Sequence, residues 1–104
     1  MSVVSVYPTF ANADEAERIG RAAVEERLAA CINIIGPIRS VYRWRGEIES
    51  ASEVAAIFKT TDAQADLLMT RIAELHSYDV PCIVIWPIDR IPGAYADWVE
   101  DSVR

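Results

Sequence analysis

The sequence predicts an α+β domain of the ferredoxin-like class, a βαββαβ sandwich with an extended central hairpin and a short C-terminal helix. Three observations support this class. The spacing of apolar residues changes between the period of a strand and the period of a helix in that order. Two long strand-like segments in the middle of the chain are separated by a glycine. The length of 104 residues suits one unit, so we expect a single domain over residues 1–104.

A proline and a capping pattern predict the first strand and the first helix. Residues 3–7 form a strand that we expect to end at Pro8, because proline has no N–H for a sheet. Asn12 and Glu15 fit a capping box, in which two side chains satisfy the free N–H groups of a helix start. Small and apolar residues follow at helical spacing, so we expect a helix over residues 13–30 that packs closely on a sheet.

The central hairpin is predicted to be unusually long. Its first strand, residues 31–44, contains Gly36 and Pro37, which favour a bulge and an edge position. Gly46 marks the turn, and the return strand covers residues 48–60. Arms of this length extend beyond the helices of the domain and expose aromatic side chains, which is typical of an interface.

The second half repeats the helix and strand pattern. Thr61 and Gln64 fit a second capping box, followed by a helix over residues 62–75. Residues 82–86 are continuously apolar, which is the pattern of a strand covered on both faces. We expect a short terminal helix over residues 94–103.

One face of the predicted sheet has no cover within the chain. Both long helices would pack on the same face, and the other face lacks a clean alternation with polar residues. The apolar residues concerned are Ile57, Phe58, Val84 and Trp86. We therefore expect a partner subunit on this face. The expected interface residues are Tyr42, Trp44, Ile48 and Trp98.

Composition argues against several classes of function. The net charge of −6 disfavours nucleic acid, which requires clustered basic residues. No apolar run approaches the ~18 residues of a membrane span, and we expect no secretory signal at the N-terminus. With only two cysteines we expect free thiols and a cytoplasmic protein. Motifs for a nucleophile with its base, a zinc hydrolase or a phosphate loop are missing, so we expect no enzyme activity.

His76, the only histidine, is the candidate metal ligand. Cys82 and Asp79 are its candidate co-ligands, because imidazole and thiolate together suit copper or zinc. The alternative is a loop histidine that bonds to the backbone at a helix end. We expect Cys31 to be a small buried hydrophobe, and this is also the alternative role of Cys82. We expect Lys59, the only lysine, to lie beside the His76 loop and to pair with a carboxylate or bind an anion.

Five segments taken together resemble the CutA divalent-cation tolerance family. They are residues 24–35, 40–49, 52–60, 76–81 and 95–98. The resemblance covers the whole chain in the right order. It implies a ferredoxin-like homotrimer that acts in tolerance of divalent metal ions, with Cu(II) or another divalent cation as the candidate cofactor.

The loop over residues 76–82 departs from the family pattern, which is His-Pro-Tyr-Glu-x-Pro-Glu. The proline and both glutamates of that pattern are replaced here by Ser77, Asp79 and Cys82. Of three copper ligands proposed in some members only His76 is retained, since Pro8 and Leu75 occupy the other two positions. Two alternatives stay open. One is a PII-like regulatory trimer that binds a small anion or metabolite between subunits, and the other is a trimeric platform for another protein.

Overall fold

The structure, a computed structural model, describes residues 2–103. Its elements in chain order are β1 (Val3–Phe10), α1 (Ala13–Glu25), β2 (Cys31–Trp44), β3 (Glu47–Thr61), α2 (Asp62–Leu75), β4 (Ile83–Pro87) and α3 (Gly93–Ser102). The strands form one antiparallel sheet in the order β2-β3-β1-β4. This is the predicted ferredoxin-like arrangement, so the fold class is confirmed. Within the described range, no helix combines the length and the apolar character needed to cross a membrane.

The main core lies between the sheet and the two longer helices. Buried residues from both layers form it, among them Val4, Val6, Phe10, Ile19, Phe58, Leu68 and Ile72. α1 approaches β2 closely because Gly20 has no side chain. A Cβ at Gly20 would lie 2.7 Å from Cδ1 of Ile32, well inside contact distance. The predicted close packing of α1 on the sheet is therefore confirmed.

β1 continues through Pro8 to Phe10, so the expectation that Pro8 ends the strand is wrong. Pro8 pairs with Ile83 of β4, whereas the pairing with β3 passes from Val6 directly to Thr9. The hydrogen-bond ladder between β1 and β3 is therefore interrupted around Pro8, which lacks an N–H, but the strand continues beyond it.

α1 ends at Glu25, earlier than the predicted end at residue 30. Arg27 adopts a left-handed φ of 61°, and the N–H groups of Leu28 and Ala29 both donate to the carbonyl of Ala23. Arg27 thus occupies the left-handed position after the helix end, which is usually occupied by glycine. Leu28 still packs against the core beyond the helix end, which is why apolar spacing alone extends the helix too far.

The β2–β3 hairpin has strands of 14 and 15 residues in a molecule that measures 45 × 26 × 21 Å. Its register shifts between Ile34 and Gly36, and Gly36 has a φ of 126°, so the predicted bulge is confirmed. Arg45 and Gly46 form the turn with φ values of 52° and 86°. Two successive positive φ values are typical of a two-residue hairpin turn. β2 is an edge strand of the sheet, as Pro37 indicates.

α2 begins at Asp62 as predicted, but without the predicted capping box. Thr61 makes no side-chain cap. The N–H of Asp62 donates instead to the carbonyl of Ser2 at 2.8 Å. The amide of Gln64 donates to the carbonyl of Val103 at 3.3 Å, near the end of α3. The predicted capping box is therefore wrong, because the Gln64 side chain that would complete it bonds to Val103.

α3 covers one end of the other sheet face. Val99 and the adjacent Val103 pack on Val3 in a second, smaller core. The remainder of this face, which we call the open face, is uncovered in one chain. Trp86 lies on it with 47% of its surface exposed and stacks on Tyr7 at a centroid distance of 4.9 Å.

Two expectations about this face are wrong. Phe58 points toward the helices and is fully buried, because alternate residues of β3 point to opposite faces and Phe58 shares the core side with Val54 and Ala56. β4 is an edge strand with Val84 and Trp86 exposed, and it is not covered on both faces.

Candidate functional site

His76 follows α2 directly and is buried against the end of β1, with 9% of its surface exposed. Nε2 lies 2.8 Å from the carbonyl oxygen of Thr9, and Nδ1 accepts from the N–H of Tyr78 at 3.1 Å. These partners assign a neutral ring with its proton on Nε2. The ring stacks on Phe10 at a centroid distance of 5.2 Å. His76 thus links the α2–β4 loop to β1, and both ring nitrogens are engaged.

Glu15 holds the same loop from the side of α1. The N–H of Glu15 donates to Oδ1 of Asn12 at 2.8 Å, which confirms the predicted cap. Its carboxylate accepts hydrogen bonds from the N–H of Ala11 at 3.0 Å and from the N–H of Ser77 at 2.9 Å. The predicted capping box has the N–H of Asn12 as the donor, and Ala11 takes that place. Burial opposes the carboxylate charge, but these hydrogen bonds outweigh it and lower the pKa of Glu15. One acidic side chain therefore ties the start of α1 to the residue after His76.

Tyr78 and Glu53 form a third link, from the loop to β3. The Tyr78 hydroxyl donates to Oε2 of Glu53 at 2.9 Å, and Oγ1 of Thr9 donates to the same oxygen at 3.4 Å. Burial, and then the hydrogen bond to Glu53, raise the pKa of Tyr78 to about 12, so the hydroxyl stays protonated and serves as a donor. The loop is thereby connected to the strand that continues into the hairpin.

The predicted metal ligands do not come together in one chain. Asp79 and Cys82 are exposed, whereas His76 is buried. Among residues 2–103, no group of three or more His, Cys, Asp or Glu side chains is arranged to hold a metal ion. The side chains of one chain therefore do not fit a resident copper ion, and a site at His76, Cys82 and Asp79 stays a prediction. The alternative role of Cys82 as a buried hydrophobe is wrong, because this thiol lies on the surface.

Lys59 lies well away from the His76 loop, which corrects the expectation that the two are neighbours. In the sheet, Lys59 lies opposite Cys31 of β2 on one side and opposite Ser5 of β1 on the other. Thr9, the partner of His76, is four residues farther along β1, or about 13 Å. Lys59 forms no ion pair with any other residue in the described part of the chain.

The four predicted interface residues are exposed at two separate places. Tyr42, Trp44 and Ile48 lie on the overhanging end of the hairpin, where Trp44 is 39% and Ile48 68% exposed. Trp98 lies on α3 beside Tyr95, with a centroid distance of 5.6 Å. One chain thus leaves a large apolar surface in contact with solvent.

The residues that fix the His76 loop were not identifiable from the sequence as a group. Glu15 has a visible role only as a helix cap, and no motif in the sequence connects Glu53 or Thr9 with the His76 loop. Ser77 and Glu15 are 62 positions apart in the chain, so no local spacing connects them. Their contact follows from the sheet order, which brings β1, β3 and the loop to one end of the molecule.

Comparison with known proteins finds relatives that match nearly the whole chain. The family model described as CutA1 divalent ion tolerance protein matches residues 4–102. The divalent-cation tolerance protein CutA of Archaeoglobus fulgidus is 40% identical over 99 residues, which are 95% of this chain and 96% of that protein. The protein of the same name from Thermotoga maritima is 41% identical over 101 residues, or 97% and 99% of the two chains.

Solved structures have the same fold. The crystal structure of CutA from Xylella fastidiosa superposes with a TM-score of 0.96 at 30% identity, and the match covers 100% of both chains. The Archaeoglobus fulgidus structure superposes with a TM-score of 0.94 at 38% identity and covers 98% of this chain and 99% of its own.

The names of these relatives overturn one expectation. The Archaeoglobus fulgidus structure is named a periplasmic protein, and the Arabidopsis thaliana relative is named chloroplastic, so the expectation of a cytoplasmic protein is wrong. A low cysteine count does not identify the compartment, since free thiols do not by themselves select one. With a family model matched from residue 4 to 102 and two relatives at about 40% identity, the chain belongs to the CutA1 divalent ion tolerance family, which is named for tolerance and not for a reaction.

Proposed function

We propose that this chain acts as a homotrimer in the tolerance of divalent metal ions. The main observation in favour of this assembly is the uncovered end of the β2–β3 hairpin. Its end exposes the apolar side chains Val41, Tyr42, Trp44 and Ile48. A two-stranded hairpin is at best marginally stable in water, and exposed strand edges favour association. Neighbouring copies would remove these side chains from water.

The open face supplies the second surface that such an assembly needs. Trp86 and Val84 are exposed there, at a different place from the hairpin end. A contact between two different surfaces of identical chains is heterologous, and it closes only as a ring. The smallest heterologous ring has three copies, because a two-fold contact uses the same surface twice.

Sedimentation equilibrium at micromolar concentration tests the assembly, and we expect a mass of three chains. Trp44→Ala should cost about 3–5 kcal/mol per subunit, as for a buried aromatic, and should dissociate the trimer on dilution. Leu67→Ala removes an apolar side chain on α2 that is 60% exposed, more than Trp44 at 39%, and should leave the mass unchanged. A wild-type monomer, or a Trp44→Ala trimer with the wild-type melting temperature, would contradict the proposal.

Growth under metal stress tests the role itself. In cells that lack their own relative, the wild-type chain should restore growth at toxic Cu(II), Zn(II) or Cd(II), and Trp44→Ala should not. Equal protein levels, checked by immunoblot, separate loss of assembly from loss of protein. Failure of the wild type to restore growth under any divalent ion would overturn the tolerance role.

A second candidate function is binding of the ion itself. Cys82 and Asp79 are exposed on one loop, three residues apart, where a neighbouring copy could complete their coordination. Thiolate suits copper and zinc. His76, with both ring nitrogens engaged, would hold this loop in place and would ligate only after losing one of its hydrogen bonds.

A further inference from the structure

Four side chains of different chemistry form one row across the open face. Cys31 of β2 lies opposite Lys59 of β3. Ser5 of β1 lies opposite Lys59 on its other side, and Trp86 of β4 lies opposite Ser5. Directly opposed residues of antiparallel strands point to the same face, so the row presents a thiol, an ammonium, a hydroxyl and an indole together. At the usual strand spacing it is about 14 Å long.

The row is bounded on two sides. Tyr95 of α3 brings its hydroxyl to 3.6 Å from Sγ of Cys31. At the other end, Tyr7 and Trp86 stack with an angle of 15° between their rings. Lys59 therefore lies between a helix and an aromatic pair, on a central strand of the sheet.

The charge in this row is not balanced. Lys59 is half-buried, and its ammonium has neither an ion pair nor a side-chain hydrogen bond with the rest of residues 2–103. Burial, and then the contact with Cys31, raise the pKa of Tyr95 to about 12, so that hydroxyl remains a donor. A partly desolvated cation flanked by hydroxyl donors is stabilised by an oxyanion.

We propose that Lys59, with the hydroxyls of Ser5 and Tyr95, binds an oxyanion on the open face, either a carboxylate or a phosphate. The oxyanion belongs to a small molecule or to an acidic side chain of a neighbouring copy. Both sources present the same chemistry, and a chain with a net charge of −6 has carboxylates in excess. Trp86, which lies beyond Ser5 in the same row, provides a flat apolar surface for the hydrocarbon part of a small carboxylate. The proposal extends the tolerance role and needs no metal.

The test compares the intact wild-type protein with Lys59→Gln, Lys59→Arg and Arg90→Gln. Arg90 is exposed and outside the row, so its variant controls for net charge. Melting temperature is measured with inorganic phosphate, with succinate and with sodium chloride at equal ionic strength. Sedimentation equilibrium of each variant is measured without added anion. Lys59→Met, which keeps the apolar stem, replaces Lys59→Gln if circular dichroism shows that the glutamine variant is unfolded.

A free anion as the occupant predicts that phosphate or succinate raises the wild-type melting temperature. The effect should persist in Lys59→Arg and Arg90→Gln and weaken by about tenfold in apparent affinity in Lys59→Gln, the loss expected for one charged hydrogen bond. If the occupant is a carboxylate of a neighbouring copy, added anions should not change the melting temperature. Among the three variants, only Lys59→Gln should then associate more weakly than the wild type. Both results support an oxyanion site. A Lys59→Gln protein that matches the wild type in both measurements would overturn it. An anion effect on a protein that sediments as a monomer would keep this site and reject only the trimer.

Discussion

Nε2 of His76 donates a 2.8 Å hydrogen bond to the carbonyl oxygen of Thr9, which lies 67 residues earlier in the chain. The bond joins the residue after α2 to the end of β1. Because Nδ1 simultaneously accepts from Tyr78, the ring works as a two-ended clamp for the loop. The only histidine of a protein from a metal-tolerance family is therefore engaged in holding structure.

Removing this clamp should destabilise the fold. His76→Phe keeps an aromatic ring against Phe10 but leaves the Thr9 carbonyl and the Tyr78 N–H without their partner. We expect a loss of about 2–4 kcal/mol, because each unsatisfied buried group costs about 1–3 kcal/mol. Urea unfolding at fixed protein concentration measures it. Val80→Ala, at a side chain that is 69% exposed in the same loop, should be nearly neutral. Wild-type stability of His76→Phe would show that the clamp contributes nothing.

Glu15 should make stability depend on acid pH. Its pKa in the folded state lies below its usual value of 4.5. The stabilisation is therefore complete above that value and is lost as pH falls through the folded pKa. Glu15→Gln should be less stable than wild type at pH 7, with a smaller decrease between about pH 5 and pH 3. Glu25→Gln, at an exposed position of α1, is the control. Parallel pH profiles for Glu15→Gln and wild type would refute this link.

Arg27 is a site where glycine should stabilise the protein. Its φ of 61° is costly for a residue with a side chain and free of strain for glycine. Arg27→Gly should raise the free energy of unfolding by about 0.5–1 kcal/mol. This value already includes the opposing effect of glycine, which increases the conformational entropy of the unfolded chain. Ala22→Gly, inside α1, should lower it by about 1 kcal/mol. Thermal and urea unfolding of both variants measure these changes. A less stable Arg27→Gly protein would contradict the prediction and would show that the arginine side chain makes a stabilising contact.

Binding of divalent ions should depend on Cys82 more than on His76. Calorimetric titration at pH 7.5 with Cu(II), and with Zn(II) as an ion that does not oxidise thiols, compares wild type, Cys82→Ser and His76→Ala. We expect Cys82→Ser to lose affinity, because a hydroxyl is a much weaker ligand than a thiolate for these ions. His76→Ala should bind more tightly than Cys82→Ser. Equal affinity in all three proteins would place the metal elsewhere.

Much of the fold was predictable because its signals are local. The stripe of α2, the turn at Gly46 and the bulge at Gly36 each depend on a few consecutive residues, and the structure contains all three. The expectations that failed concern positions where a tertiary contact replaces a local one. Gln64 donates to Val103 and not to the helix start, and β1 tolerates Pro8 because one ladder is interrupted there.

The order of the elements, the length of the hairpin and the family can be read from the amino-acid sequence, because periodicity, turn residues and motif spacing are properties of neighbouring positions. The contacts of His76, Glu15 and Lys59, in contrast, depend on the folded chain. Hydrogen bonds and strand pairs between residues more than 50 positions apart depend on which strands are adjacent, and that order, β2-β3-β1-β4, is a property of the assembled sheet. This strand order directs the imidazole of His76 toward a carbonyl in the interior, exposes the thiol of Cys82, and leaves the only lysine without an ion pair among residues 2–103.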